Sequence, residues 1–219
     1  SVSGTCSEQN WEAESSDSFS AIWHQSRRPF GKTKSAGLGI VADKNDPRLS
    51  YLLEEVKRRE ATGYSYESAD ASFALLARRM LGKVPDYFEV ERFNVNVERR
   101  YNAKGELTTV AEATVKVRVG DEVLISAGEG NGPVNALDVA LRKDLGKYQS
   151  YISGLSLTDF RVRILDGGTG AVTRVLIEST DENGEHWTTV GVSPNIIDAS
   201  FQALIDSITW KLLKSDAPV

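Results

Sequence analysis

Two stretches of this chain decide its fold: GEGNGPVNALDVAL at residues 128–141 and VGVSPNIIDASFQAL at residues 190–204. Sliding the sequence by 63 residues places Gly128 on Gly191 and Leu145 on Ile208. In each stretch a glycine-containing turn, predicted at 128–133 and again through Gly191, leads into apolar residues at helical spacing. We therefore predict a repeat in which each copy ends in a turn and a helix.

Runs with a period of two residues precede both stretches, as half-buried strands require. The alternating apolar residues are Phe93, Val95 and Val97, then Val115, Val117 and Val119, then Val123, Ile125 and Ala127, and in the second copy Phe160, Val162 and Ile164, then Val172, Val175 and Ile177, then the run 187–192. One three-stranded sheet with one helix is too small to bury both of its faces. The predicted fold is therefore α+β, with two βββα units related by pseudo-twofold symmetry.

Three regions follow from these patterns. Residues 1–42 are serine-rich with little apolar periodicity and are predicted to be disordered or extended. Residues 43–86 are predicted to form a small helical linker subdomain, with one helix starting near Pro47 and a second over about 68–81. Residues 87–215 then form the βββα–βββα domain.

Composition excludes several classes of function. A net charge of −5 and a pI near 5.2 argue against a nucleic-acid partner. No apolar run is long enough to span a bilayer and no signal-peptide pattern is present, so a cytoplasmic protein without a membrane partner is expected. Cys6 is the only cysteine, and His24 and His186 are far apart, so we predict no metal site and no catalytic residues.

Four separated motifs resemble one family in its own order. Residues 128–141 and 190–204 are similar to the regulatory helices of 2-isopropylmalate synthases and citramalate synthases, and DFRVRILDGGTGA at 159–171 resembles the segment between them. The helical stretch 44–82 is similar to the linker of the citramalate-type branch. The resemblance extends over about residues 36–213.

This resemblance implies the regulatory domain of an acetyl-CoA-condensing synthase. Such domains form homodimers and bind a branched-chain amino acid, the end-product inhibitor, between the two units at the dimer interface. Isoleucine is the favoured effector because the citramalate branch feeds isoleucine synthesis, and leucine is the second choice. The family's catalytic unit is a preceding TIM barrel of about 250 residues, which uses a divalent metal and acetyl-CoA. We therefore expect no cofactor and no activity in this chain alone.

A free amino acid needs donors for its carboxylate, acceptors for its ammonium group and an apolar pocket. The turn 128–133 lacks the spacing of a phosphate-binding loop, but glycines and a helix N-terminus suit a carboxylate. The predicted effector-binding residues are Asn131, Gly132 and Pro133 for the carboxylate, Asp166 or the loop carbonyls through Gly168 and Gly170 for the ammonium group, and Val134, Leu137, Phe160, Ile164 and Ala171 around the side chain.

The alternative is that these glycine loops are only tight turns and these apolar residues only core. Spacing alone favours that second interpretation, whereas the resemblance favours the first. Two other functions stay open at this point. One is a purely structural dimerisation domain without a ligand, and the other is an enzyme active in its own right.

Overall fold

The computed structural model describes residues 47–80, 84–165, 168 and 171–219. The chain divides into two compact units, Ser1–Ala61 and Thr62–Val219. The predicted disordered or extended segment 1–42 lies outside the described residues. The predicted domain limits near residues 42 and 86 stay predictions.

In the first unit, the described part is helix α1, Pro47–Ala61. The carboxylate of Glu55 accepts hydrogen bonds from Arg58 and from Arg59 at 2.7–2.8 Å. These two guanidinium groups lower the pKa of Glu55 from 4.5 to about 2. Glu55 and Arg59 lie one helical turn apart, the spacing at which such pairs form on a helix surface.

The second unit begins with helix α2, Asp70–Met80, where the sequence predicts a helix over about 68–81. Its buried residues cover more than one narrow stripe: Ala71, Ser72, Ala74, Leu75, Leu76 and Ala77. Small and polar residues are included because this helix packs against the edge of a sheet as well as against another helix. Its contacts with strand and helix place it within the second unit.

A first antiparallel sheet follows, with strand order β1-β2-β3. Its strands are β1 Glu89–Tyr101, β2 Leu107–Val119 and β3 Glu122–Gly130. The odd-numbered residues of β2 from Ala111 to Val119 are buried and the even-numbered ones face outward. Helix α3, Pro133–Lys143, packs on the buried face.

The second sheet repeats this arrangement with order β4-β5-β6. A 3-10 turn at Gly146–Tyr148 and the short helix α4, Gln149–Ile152, lead into β4 Ser156–Ile164, β5 Thr173–Thr180 and β6 His186–Ser193. Helix α5, Ile196–Lys214, covers the buried face of this sheet. The prediction of an α+β fold with two βββα units is confirmed.

One hydrophobic core joins the two βββα units. Helices α3 and α5 contact each other, and each also packs on the sheet of its own unit. The ring of Phe93 on β1 stacks on that of Phe201 on α5, with centroids 4.6 Å apart. Each βββα unit thus supplies apolar surface that the other βββα unit covers, as expected for repeats too small to fold alone.

Candidate functional site

The glycines of the first repeat lie mainly in a strand, and the predicted turn over 128–133 is wrong in that respect. Strand β3 continues through Gly130, so only Asn131 and Gly132 connect it to α3. A Cβ atom on Gly128 would lie 2.6 Å from the backbone nitrogen of Ala140. Gly128 is therefore required because helix α3 lies against the backbone of β3 at this point.

The second repeat uses the same contact. Gly191 lies within β6 and not in the predicted turn, and a Cβ atom there would be 1.9 Å from the carbonyl oxygen of Ala199. Because Gly128 and Gly191 are equivalent in the repeat, both helices approach their sheets through a glycine. The close approach of each helix to its own sheet is thereby fixed at this glycine.

The N-terminus of α3 begins at Gly132, whose backbone is extended, with φ −167° and ψ 172°. No side chain caps this terminus, and Pro133 follows in the first turn. The neighbouring Asn131 donates its backbone N–H to Asn135 Oδ1 at 3.1 Å. A Cβ atom on Gly132 would meet nothing within 4 Å. The first backbone donors of α3 thus lack a capping side chain, and the space beside Gly132 is open.

The equivalent helix N-terminus in the second repeat is capped by a side chain. Asn195 occupies the position of Gly132, and its Oδ1 accepts the backbone N–H of Ile197 at 2.9 Å. Uncapped helix N-termini attract carboxylates. Helix α3 can therefore receive an external anion, whereas α5 has its own acceptor in Asn195. The difference between glycine and asparagine at these aligned positions is visible in the sequence, yet spacing alone does not reveal its meaning.

The apolar residues predicted to surround the effector's side chain are divided between the core and the surface. Leu137 is fully buried, and the half-buried Val134 and Phe160 pack against the same hydrophobic core. Ile164, at the end of β4, is 66% exposed. The structure therefore brings Leu137, Val134 and Phe160 into one cluster and leaves Ile164 at its surface.

The predicted ammonium-binding loop is described only in part. Asp166 and Gly170 lie outside the described residues. Gly168 is exposed with φ +104°, a left-handed conformation that favours glycine, and Ala171 is half-buried. The assignment of all these residues to an effector site stays a prediction.

An ion pair with a buried carboxylate begins at the residue after Leu137 on α3. Asp138 is 5% exposed and pairs with Arg142, which also donates through Nη1 to the carbonyl oxygen of Leu155 at 2.5 Å. Burial raises the pKa of the Asp138 carboxyl, and the Arg142 guanidinium opposes that rise. This pair is not among the predicted features, although the i,i+4 spacing of the two residues is a signal for it.

Two shallow grooves adjoin strand β3. One lies on the outer face of the first sheet and the other between β3 and the C-terminal half of α3. None of the predicted effector-binding residues lines either groove. Among the described residues, no group of three or more His, Cys, Asp or Glu side chains is placed to hold a metal ion. No helix in the same part of the chain is long and apolar enough to cross a membrane.

Two βββα units that share one core define a paired-repeat α+β domain. The chain belongs to the family of LeuA allosteric (dimerisation) domains, whose sequence model matches residues 67–212. The resemblance drawn from the sequence motifs is therefore confirmed.

Individual relatives agree with this assignment. The chain is 46% identical over 185 residues to the (R)-citramalate synthase of Geobacter sulfurreducens, covering 84% of this chain and 34% of that protein. It is 44% identical over 183 residues to the (R)-citramalate synthase of Synechocystis, covering 82% of this chain and 33% of that protein. The 2-isopropylmalate synthase of Pseudoalteromonas atlantica is more distant, at 30% identity over 169 residues, with 72% of this chain and 30% of that protein covered.

The chain thus spans about a third of the length of these relatives. Its greater similarity to citramalate synthases than to 2-isopropylmalate synthases confirms the citramalate-type branch favoured from the sequence.

Proposed function

We propose that this chain is the regulatory part of an acetyl-CoA-condensing synthase, that it forms a homodimer and that it binds a branched-chain amino acid as feedback inhibitor. In this proposal the condensation belongs to a catalytic barrel elsewhere in the polypeptide, where a divalent metal and acetyl-CoA are also bound. Isoleucine is the favoured effector because the more similar relatives are citramalate synthases, and leucine is the second choice.

The observation that carries the proposal is the uncapped N-terminus of α3 at Gly132. Its counterpart, Asn195, caps α5, so the two halves differ where a carboxylate would bind. An amino-acid carboxylate at Gly132 would accept the N–H groups that a capping side chain accepts elsewhere. Val134, beside this terminus, is half-buried and supplies apolar surface for an aliphatic side chain.

Feedback inhibition requires that the effector bind two arrangements of the protein with different affinity. Helices α3 and α5 contact each other and share one core. An effector that prefers one packing of these helices would bias the paired units, and the barrel would respond to that bias.

The test is a calorimetric titration of the purified chain with isoleucine, leucine and valine. We expect saturable binding of isoleucine, and its loss in Gly132→Asp, because the new carboxylate caps α3 and repels that of the ligand. The matched control is Asn195→Asp, which makes the same carboxylate at the equivalent position and keeps a cap on α5. Unchanged affinity in Gly132→Asp would place the ligand elsewhere.

A structural dimerisation domain without a ligand is the second candidate. The complete burial of Leu137 favours it, since that side chain serves the core whether or not a ligand binds. It predicts a folded dimer whose melting temperature is unchanged by each of the three amino acids, whereas a bound effector raises the melting temperature.

A further inference from the structure

Strand β6 lies at the edge of the second sheet, and three of its outward N–H groups are bonded to side chains. The acceptors are Asp70 Oδ1 for Thr188 at 3.0 Å, Ser72 Oγ for Val190 at 3.0 Å and Gln202 Oε1 for Val192 at 3.2 Å. Asp70 and Ser72 belong to α2. Helix α2 therefore covers this edge and supplies the acceptors that a neighbouring strand would otherwise provide.

The equivalent edge in the first sheet is β3, and no helix among the described residues supplies acceptors to its outward N–H groups. The offset of 63 residues places Ile125 and Ala127 at the positions of Thr188 and Val190. Lys143 Nζ donates to the carbonyl oxygen of Ala127 at 2.9 Å, which shows that the odd-numbered residues of β3 turn their backbone away from β2. Val123 is 43% and Ile125 65% exposed, and no described strand pairs with this edge.

The edge strands on the other side of each sheet carry features that discourage pairing. Strand β1 has an irregularity at Glu91 and strand β4 one at Thr158, where the register shifts. Both strands are also rich in charge: Glu89, Glu91, Arg92, Glu98, Arg99 and Arg100 in β1, and Asp159, Arg161 and Arg163 in β4. Bulges and charged side chains are the means by which sheet edges avoid other strands.

Strand β3 has neither protection. Its register with β2 is continuous, and residues 123–128, VLISAG, carry no charge and no proline. Strand β6 is similarly uncharged, but α2 covers it. Of the four edges described, β3 is thus the one with an uncharged central segment, a continuous register and no covering helix among the described residues, which is the combination that accepts another strand.

We propose that β3 pairs antiparallel with β3 of a second copy of this chain, which joins two three-stranded sheets into one of six strands across a twofold axis. With Ile125 opposite the partner's Ile125, Val123 lies opposite the partner's Ala127, so exposed apolar side chains meet on the outer face. In this register residues 123–127 face their own copies without any charge, and Glu129 lies opposite the partner's Asp121 only at the ends of the paired segment. This inference rests on the dimer of the proposed function and names its contact surface.

Cross-linking tests the register directly. In a Cys6→Ser background, the Ile125→Cys chain should form a disulfide-linked dimer on mild oxidation, because directly opposite hydrogen-bonded residues have Cα atoms about 5.5 Å apart. The matched control is Thr188→Cys at the equivalent position of the covered edge, which should not cross-link. Hydrogen exchange should show the Ile125 and Ala127 amides protected in the dimer and unprotected in the monomer.

A second variant keeps the inference testable by a different measurement. Ile125→Lys should weaken dimerisation about tenfold or more in sedimentation, because two lysines would face each other across the axis. Leu107→Lys, an exposed apolar residue in the same sheet, is the control and should leave it unchanged. A dimer that forms without the Ile125 cross-link and tolerates Ile125→Lys overturns the pairing but not the dimer. A chain that stays monomeric overturns both.

Discussion

The hydroxyl of Thr189 donates a 2.8 Å hydrogen bond to the backbone carbonyl oxygen of Ala203. Sixty-three residues earlier the hydroxyl of Ser126 makes the same bond to Ala140, at 2.6 Å. Both hydroxyls are buried, and both bonds tie the third strand of a unit to the helix that follows it. The pseudo-twofold symmetry therefore extends beyond the order of elements to individual polar contacts.

Loss of either hydroxyl should destabilise the fold. Ser126→Ala and Thr189→Val are each expected to lower the free energy of unfolding by about 1 kcal/mol, because a buried strand-to-helix hydrogen bond is lost. The measurement is the midpoint of urea unfolding. Thr158→Val removes an exposed hydroxyl and should change stability by less than about 0.5 kcal/mol. Equal losses of stability at all three sites would show that the buried hydrogen bonds contribute no more to the free energy of unfolding than the exposed one.

The glycines that face the helices should not tolerate a methyl group. Gly191→Ala places a Cβ atom 1.9 Å from the carbonyl oxygen of Ala199, and Gly128→Ala places one 2.6 Å from the nitrogen of Ala140. We expect a loss of stability of about 1–3 kcal/mol in each, since the helix must move from its sheet. Gly132→Ala, where a Cβ meets nothing, should lose less in the same denaturant titration, because only the preference of the N-cap position for glycine over alanine is affected.

The buried carboxyl of Asp138 should respond to pH in a defined direction. Because its pKa is raised above 3.8, its contribution to stability is present below that value and is lost as the pH rises through the folded-state pKa. Asp138→Asn should remove this dependence from the stability–pH curve. A carbon-13 titration of the carboxyl should show the raised pKa, and in Arg142→Ala that pKa should rise further because the opposing guanidinium is gone.

Lys211 forms the other buried ion pair, at the C-terminal end of α5. The side chain is 3% exposed and its Nζ lies 3.2 Å from Asp181 Oδ2 and 2.8 Å from Glu182 Oε2. Lys211→Met should lower the stability by about 3 kcal/mol, because Asp181 is then buried without its cation. Lys143→Met, an exposed lysine on α3, serves as control in the same thermal unfolding experiment. A stable Lys211→Met chain would show that the N–H groups around Asp181 suffice for it.

Much of the fold follows from patterns that act over a few residues. The alternation from Phe93 to Val97 and the helical spacing around Leu137 and Leu141 specify strand and helix, because a period of 2 or 3.6 residues places apolar groups on one side. The offset between Gly128 and Gly191 then predicts the repeat. These signals are local, so the sequence alone determined two βββα units and the family they belong to.

The roles of the individual glycines and charges depended on tertiary contacts. Gly128 and Gly191 resemble turn residues in the sequence, yet each lies in a strand because a helix from later in the chain packs against it. Asp138 is a polar helix residue that the folded protein buries beside Arg142. Local spacing does not encode which surfaces will meet.

The edges of the two sheets show the same division. Strands β3 and β6 both have a short uncharged central segment in the sequence, and nothing local distinguishes how they will be covered. The tertiary structure brings Asp70 and Ser72 to β6 across more than a hundred residues of chain, whereas no described helix does the same for β3. The sequence by itself determined which strands form, and the packing of distant segments decided which strand edge a helix covers, because hydrogen-bond partners between elements are fixed only when the elements meet.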